Sequence, residues 1–273
     1  MPALTLGPLA LPLSAVFLLA GILAAIVAAL LIERKTKKRV EPFVWLALGA
    51  GLIAARAVFV LANLDAYSHD WPSVLYLWQD GYSPWAGAAA AGLVAIVAGI
   101  RTRRPAQLIT PVALGTALWL GLGLAAGLLA SMHELPDVHL QNLEGEEITL
   151  SEFYGRPMVI NLWATWCPPC RREMPVLAQA QQKNKDIHVI FINQREAAET
   201  VQQFLNAEEL MLENALQDPF AEVADHFGAR AMPTTLFVDA SGRVRDSHMG
   251  ELSRARLHQH IRHLKKLTLE TKE

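Results

Sequence analysis

The two cysteines of this 273-residue chain stand three apart, in Trp166-Cys167-Pro168-Pro169-Cys170, directly after the apolar run Met158-Val159-Ile160-Asn161-Leu162-Trp163. Thiol–disulfide exchange needs an exposed thiolate with a lowered pKa and a second sulfur near enough to clear the mixed disulfide. A helix starting near Pro169 meets both needs. Its N-terminus favours negative charge on Cys167, and its first turn brings Cys170 back toward Cys167. A structural zinc site requires four ligands, and no second Cys-x-x-Cys or nearby Cys/His pair completes one. The pair therefore reads as a redox-active dithiol, a chemistry that calls for neither metal nor cofactor. His258, His260 and His263 invite a metal reading, but only the last two share a helical face and no acidic third ligand adjoins them. They are expected to be solvated surface histidines.

Several elements must position the dithiol. Pro157–Trp163 reads as a buried strand feeding it, and a helix follows from about Pro169 to Lys183. Ile187–Asn193 is a second central strand, apolar almost throughout, as parallel sheets require. Asp137–Gln141 and Glu147–Leu150 read as a hairpin, and Ser151 as the cap of a short helix. Helices are expected over Glu196–Glu209, Phe220–Phe227 and Leu252–Leu267. Thr234–Asp239 and Val244–Met249 should pair across Ala240-Ser241-Gly242.

The segment Asn161–Pro175 resembles the active-site segment of the TlpA/ResA-like branch of the thioredoxin superfamily, with similarity running from about Leu135 to Leu267. The resemblance implies a thioredoxin fold, with Cys167 as attacking and Cys170 as resolving sulfur. It implies that Trp166 and the cis-proline segment Met232-Pro233-Thr234 receive the substrate, and that Pro175 kinks the helix. It further implies that Glu173 handles the proton of the resolving thiol. Read by itself, Glu173 could equally be a solvated first-turn carboxylate. Thioredoxin proper carries a buried aspartate where this chain has Asn161. The interval from Cys170 to Pro233 leaves room for an extra element near Glu196–Asp218, a feature of this branch. Clients implied are extracytoplasmic cysteine proteins. A peroxidase is disfavoured, because that family's Pro-x-x-x-Thr-x-x-Cys context is absent: Thr165 lies only two residues before Cys167.

Hydrophobic residues make up 52% of the chain and charged residues 18%, very unevenly spread. Leu11–Ile32, Pro42–Asn63, Trp85–Ile100 and Leu108–Leu129 read as four membrane spans. No charged stretch precedes the first and no cleavage site follows it, which predicts a retained span rather than a removed signal peptide. Arg34, Lys35, Lys37, Lys38 and Arg39 lie between the first two spans; Arg101, Arg103 and Arg104 lie between the last two. Leu64–Pro84 carries Asp65, Asp70 and Asp80 but no Lys or Arg. The positive-inside rule then puts the N-terminus and the dithiol domain on the periplasmic side of a bacterial inner membrane. That compartment suits disulfide chemistry. Trp71, Trp78 and Trp85 fit an interfacial aromatic belt, and Gly123–Gly127 forms a GxxxG step, read mainly as part of a Gly/Ala-rich helix. With net charge −2 and no basic stripe in the globular half, no nucleic-acid partner is expected.

The expected organisation is a four-span α-helical membrane region (1–130), a linker (131–136) and an α/β thioredoxin-like domain (137–273). Thr5–Leu9, Ala55–Leu61 and Trp78–Gly87 resemble the N-terminal part of prolipoprotein diacylglyceryl transferases, over roughly Leu4 to Ile100. The family's histidine in the last motif aligns with Trp85, and its later spans are missing, so acyl-type transfer is not expected. Arg56, near the outer end of its span, is placed to snorkel to lipid phosphates. No span contains a cysteine. Electrons must therefore arrive from a separate transmembrane donor, of the DsbD or CcdA type, if the protein acts as a reductant. The alternatives are an oxidant or isomerase with the same chemistry, and a lipid-binding or lipid-modifying protein with an accessory dithiol domain. Because both residues between the sulfurs are prolines, without N–H groups, only the Cys170 and Arg171 amides and the helix dipole can stabilise the Cys167 thiolate. Its pKa is expected nearer the ~7 of reducing thioredoxin than the ~3.5 of strong oxidants.

Overall fold

The computed structural model describes residues 3–6, 9–68, 71–76, 80–129 and 134–270. Gly7, Pro8, Asp70, Trp78, Gln79 and linker residues 131–133 lie outside them. The chain divides into two compact units, one holding the long apolar helices and the other the large sheet.

A short two-stranded sheet, β1 (Ala3–Leu6) and β2 (Leu9–Pro12), precedes α1 (Leu13–Thr36). Then come α2 (Glu41–Ala62), the single turn α3 (Leu64–Tyr67), α4 (Pro84–Arg101) and α5 (Pro105–Leu129). α1, α2, α4 and α5 are long and apolar enough to cross a membrane. At 24 residues, α1 reaches about 36 Å. Inside this unit α1 packs on α5 and α2 on α4. Both crossings run glycine on glycine: a Cβ on Gly115 would lie 2.5 Å from the Gly21 carbonyl oxygen, and one on Gly51 would lie 3.0 Å from that of Gly87. By contrast, Gly123 and Gly127 have nothing within 4 Å of such a Cβ. The close approaches belong to glycines outside the GxxxG step.

Arg56 departs from expectation. Instead of reaching for head groups, it is buried and donates to the carbonyls of Val74, Ser73 and Gly81 at 2.9–3.1 Å. The rings of Tyr67 and Tyr82 flank its guanidinium at 5.8 and 5.6 Å. A planar five-donor fork satisfies carbonyls of the 3-10 helix Trp71–Leu75 and of Gly81 at once, which explains why the side chain folds inward.

The second unit is built on a seven-stranded sheet in the order β4-β3-β7-β6-β5-β8-β9. Its strands are β3 (His139–Asn142), β4 (Glu147–Thr149), β5 (Met158–Trp163), β6 (His188–Gln194), β7 (Ala215–Asp218), β8 (Thr234–Val238) and β9 (Val244–Met249). β5, β6 and β7 run parallel; β8 and β9 are antiparallel on one flank, and β3 and β4 on the other. The helices are α6 (Pro168–Lys183), α7 (Ala198–Ala207), α8 (Glu222–His226) and α9 (Arg254–Glu270). Every β5 residue is buried, because the sheet is covered on both faces. Val159 and Trp163 point into a core shared with α6, α7 and α9; Met158, Ile160 and Leu162 point into the opposite core, shared with Val223 of α8. Asn161 takes the first face by the same alternation.

Two local readings are corrected, and one is given its content. The short helix after β4 is capped by Thr149, not Ser151, through a reciprocal capping box with Glu152. The extra element expected near Glu196–Asp218 is present, made of α7 and the strand β7, which pairs with β6 from Phe191↔Ala215 to Gln194↔Asp218. His260 is not solvated. It is buried, stacked on Phe237 at 4.0 Å, with Nδ1 3.2 Å from Asp246. It shares the α9 stripe of Leu257, Ile261 and Leu264 that packs on the sheet.

Candidate functional site

β5 ends at Trp163, and the chain turns through Ala164–Trp166 into α6. Cys167 is the N-cap of α6, with Pro168 and Pro169 in its first turn, where their missing N–H groups cost nothing. Cys167 and Cys170 form a disulfide with Cα atoms 5.3 Å apart. The Cys170 N–H points at Cys167 Sγ, at 3.3 Å. The Arg171 N–H, expected to support the same sulfur, donates instead to the Cys167 carbonyl at 3.1 Å. Among the described residues, one amide, not two, faces the sulfur.

Cys167 is 3% exposed and Cys170 0%, so the attacking candidate is largely covered in the oxidised state rather than open. Both belong to the apolar cluster of Trp163, Met174 and Leu177, against which Met232 packs partly buried. Trp166, 66% exposed, is the large apolar side chain presented beside the pair. The Met232–Pro233 peptide is cis, and the Pro233 carbonyl accepts the Gly250 N–H at 2.8 Å. Thr234 turns its hydroxyl inward to the Ala231 carbonyl and is buried, so its side chain offers nothing to a ligand.

Glu173 lies one turn past Cys170 and is 1% exposed, which removes the solvated-carboxylate reading. Its Oε1 accepts from Asn161 Nδ2 at 2.7 Å and its Oε2 from the Leu252 N–H at 2.9 Å. Burial pushes its pKa up to about 8, against the opposing pull of the Leu252 and Asn161 donors; the nearby Glu251 charge adds to the rise. Arg172 holds Glu251 with two bonds, at 2.8 and 2.6 Å. On the other side of α6, Arg171 reaches Glu208 at 2.6 Å and lies over the Phe204 ring. Both arginines after the dithiol thus brace the helix against its neighbours.

The sequence reading did not single out Glu196, Leu252 or Glu251. Glu196 lies two residues past the C-terminal end of β6, at the edge of a parallel sheet where ligands and reactive groups gather, and that placement is its available signal. The groups brought together are Cys167, Cys170 and Glu173, with Trp166 and Met232 at the margins.

Residues 130–261 match the Redoxin family model, and residues 2–131 match the model described as prolipoprotein diacylglyceryl transferase, a longer match than the motifs alone suggested. The thiol-disulfide oxidoreductase ResA of Halalkalibacterium halodurans is 31% identical over 147 residues, covering 53% of this chain and 83% of that protein. The thioredoxin-like protein YneN of Bacillus subtilis is 30% identical over 132 residues, 47% of this chain and 76% of that protein. A Chlorobium tepidum structure described as a thiol:disulfide interchange protein DsbE shares 27% identity, covering 50% of this chain and 97% of that one, with a TM-score of 0.46. With a Redoxin-matching half that spans most of ResA, the chain belongs to the ResA-like thiol-disulfide oxidoreductases, joined here to an N-terminal membrane region of diacylglyceryl transferase type.

Proposed function

We propose that the protein is a membrane-tethered reductant of disulfides in extracytoplasmic cysteine proteins. Cys167 thiolate attacks a client disulfide, forming a Cys167–client bond and releasing one client thiolate. Cys170 thiolate then attacks Cys167 Sγ, releasing the second client thiolate and leaving the Cys167–Cys170 disulfide. Two electrons pass to the client, and a thiol–disulfide partner must return them. Burial pushes the Glu173 pKa up to about 8, so the fraction ionised near neutral pH is a strong enough base to accept the Cys170 proton as that thiol becomes the nucleophile. Trp166 and the Met232–Pro233 segment receive the client chain.

The observation that carries this reading is the amide environment of Cys167. A single N–H faces its sulfur, and strong oxidants need an exceptionally stabilised thiolate. The four spans, without cysteine, anchor the catalytic half at 137–273 on the periplasmic face of the bacterial inner membrane and meet lipid with their outer surfaces. Recharging falls to a separate transmembrane donor of the DsbD or CcdA type. The test is trapping in cells with Cys170→Ser. Mixed disulfides with extracytoplasmic cysteine proteins, together with loss of the reduced dithiol when such donors are deleted, support the reading. A measured potential near roughly −120 mV, the range of strong oxidants, overturns its direction.

A further inference from the structure

One carboxylate gathers the ends of the parallel strands beside the dithiol. Glu196 Oε2 accepts the Thr165 N–H at 2.7 Å and Asn193 Nδ2 at 2.7 Å, while Oε1 accepts the Thr165 hydroxyl at 2.5 Å. Its own carbonyl accepts Gln217 Nε2 at 3.0 Å. Thr165 follows β5, Asn193 lies in β6 and Gln217 in β7, so a single residue ties all three strand ends. The preceding Arg195 holds φ at +63°, a left-handed conformation that a non-glycine residue adopts only where the surroundings impose it. Arg195 N–H is fixed to the Asp218 carbonyl at 3.1 Å. The same edge opens onto a cleft of about 410 Å³ that Arg195, Glu196 and Gln217 help to line.

Thr165 is two residues from Cys167, so their Cα atoms are at most about 7.6 Å apart. A carboxylate bonded to Thr165 therefore acts on the sulfur in two ways. It fixes the loop that delivers Cys167 to the mouth of α6, and its charge opposes the helix dipole that would stabilise a thiolate there. We propose that Glu196 is a positioning residue of the dithiol, whose charge keeps the Cys167 thiol protonated and the couple reducing. The inference rests on the proposed role of Cys167 and deepens it.

The test measures the pH dependence of Cys167 alkylation in Cys170→Ser protein, and the glutathione redox equilibrium of the intact dithiol. Glu196→Gln keeps an acceptor for Thr165 and removes the charge. The Cys167 pKa should then fall by about half a unit to one unit, and the equilibrium should shift several-fold toward the dithiol. Glu196→Asp should restore values near wild type. Thr165→Val, which strips one donor but leaves the charge, should move the pKa upward and serves equally if the Gln variant does not fold. An unchanged pKa and equilibrium in Glu196→Gln, or a downward shift in Thr165→Val, overturns the proposal. Failure of wild-type protein to reduce any disulfide, or retention of reduction in Cys167→Ser, would instead strike the role of Cys167 itself.

Discussion

Asn161 donates to Glu173 at 2.7 Å across twelve residues of sequence, joining the central strand to the first turns of the active-site helix inside a sealed core. The amide holds the carboxyl group in place without supplying a counter-charge. Burial therefore dominates, and the group stays protonated well into the neutral range.

Stability should report that proton. A carboxyl whose folded pKa is raised binds protons better folded than unfolded, so its contribution is full below the unfolded value of 4.5 and is lost as pH rises through about 8. Denaturant titrations of oxidised protein should show stability falling between these limits by up to about 1.4 kcal/mol per pH unit from this group. In Glu173→Gln that component of the slope should vanish. The same variant should reduce disulfides about 10- to 100-fold more slowly at pH 7, read by stopped-flow with a model disulfide.

Arg172 neutralises Glu251, whose charge otherwise raises the pKa of Glu173. Arg172→Gln should therefore raise the Glu173 pKa further. Carboxyl titration by infrared difference spectroscopy would show an upward shift of a few tenths of a unit or more; a downward shift would contradict the arrangement.

Cys167→Ser and Cys170→Ser should separate the two sulfurs. The first should abolish disulfide reduction, and the second should allow one attack and then stall, accumulating mixed disulfides visible on non-reducing gels.

In the membrane half, Gly115→Val should disrupt the α1–α5 crossing, because a Cβ there meets the backbone of Gly21. A loss of about 3 kcal/mol, seen as a lower melting temperature in detergent, is expected; Gly123→Val should change little. Arg56→Leu should cost a similar amount, since it leaves the carbonyls of Ser73, Val74 and Gly81 without these donors.

What was legible in the sequence follows physical range. Cys167 and Cys170 could be paired on sight because three-residue spacing at a helix start brings side chains together whatever the rest of the fold does. The apolar β5 and β6 runs and the four spans were equally plain, since uninterrupted hydrophobicity is a local signal. The partners of Glu173 were not, because Asn161 and Leu252 reach it only after the sheet and α9 assemble. β7 was obscured by being four residues long with Gln217 and Asp218 in it. Two misses were avoidable: Thr149-Leu150-Ser151-Glu152 carries the capping-box pattern, and His260 falls within the Leu257–Ile261–Leu264 stripe.

Cys170 has no surface of its own. Small thiols in the surroundings have no route to its sulfur in the oxidised protein, so exchange with them falls first on Cys167. The second step of the proposed cycle is then an internal collision between neighbours one helical turn apart, while return of the electrons still depends on a partner from outside.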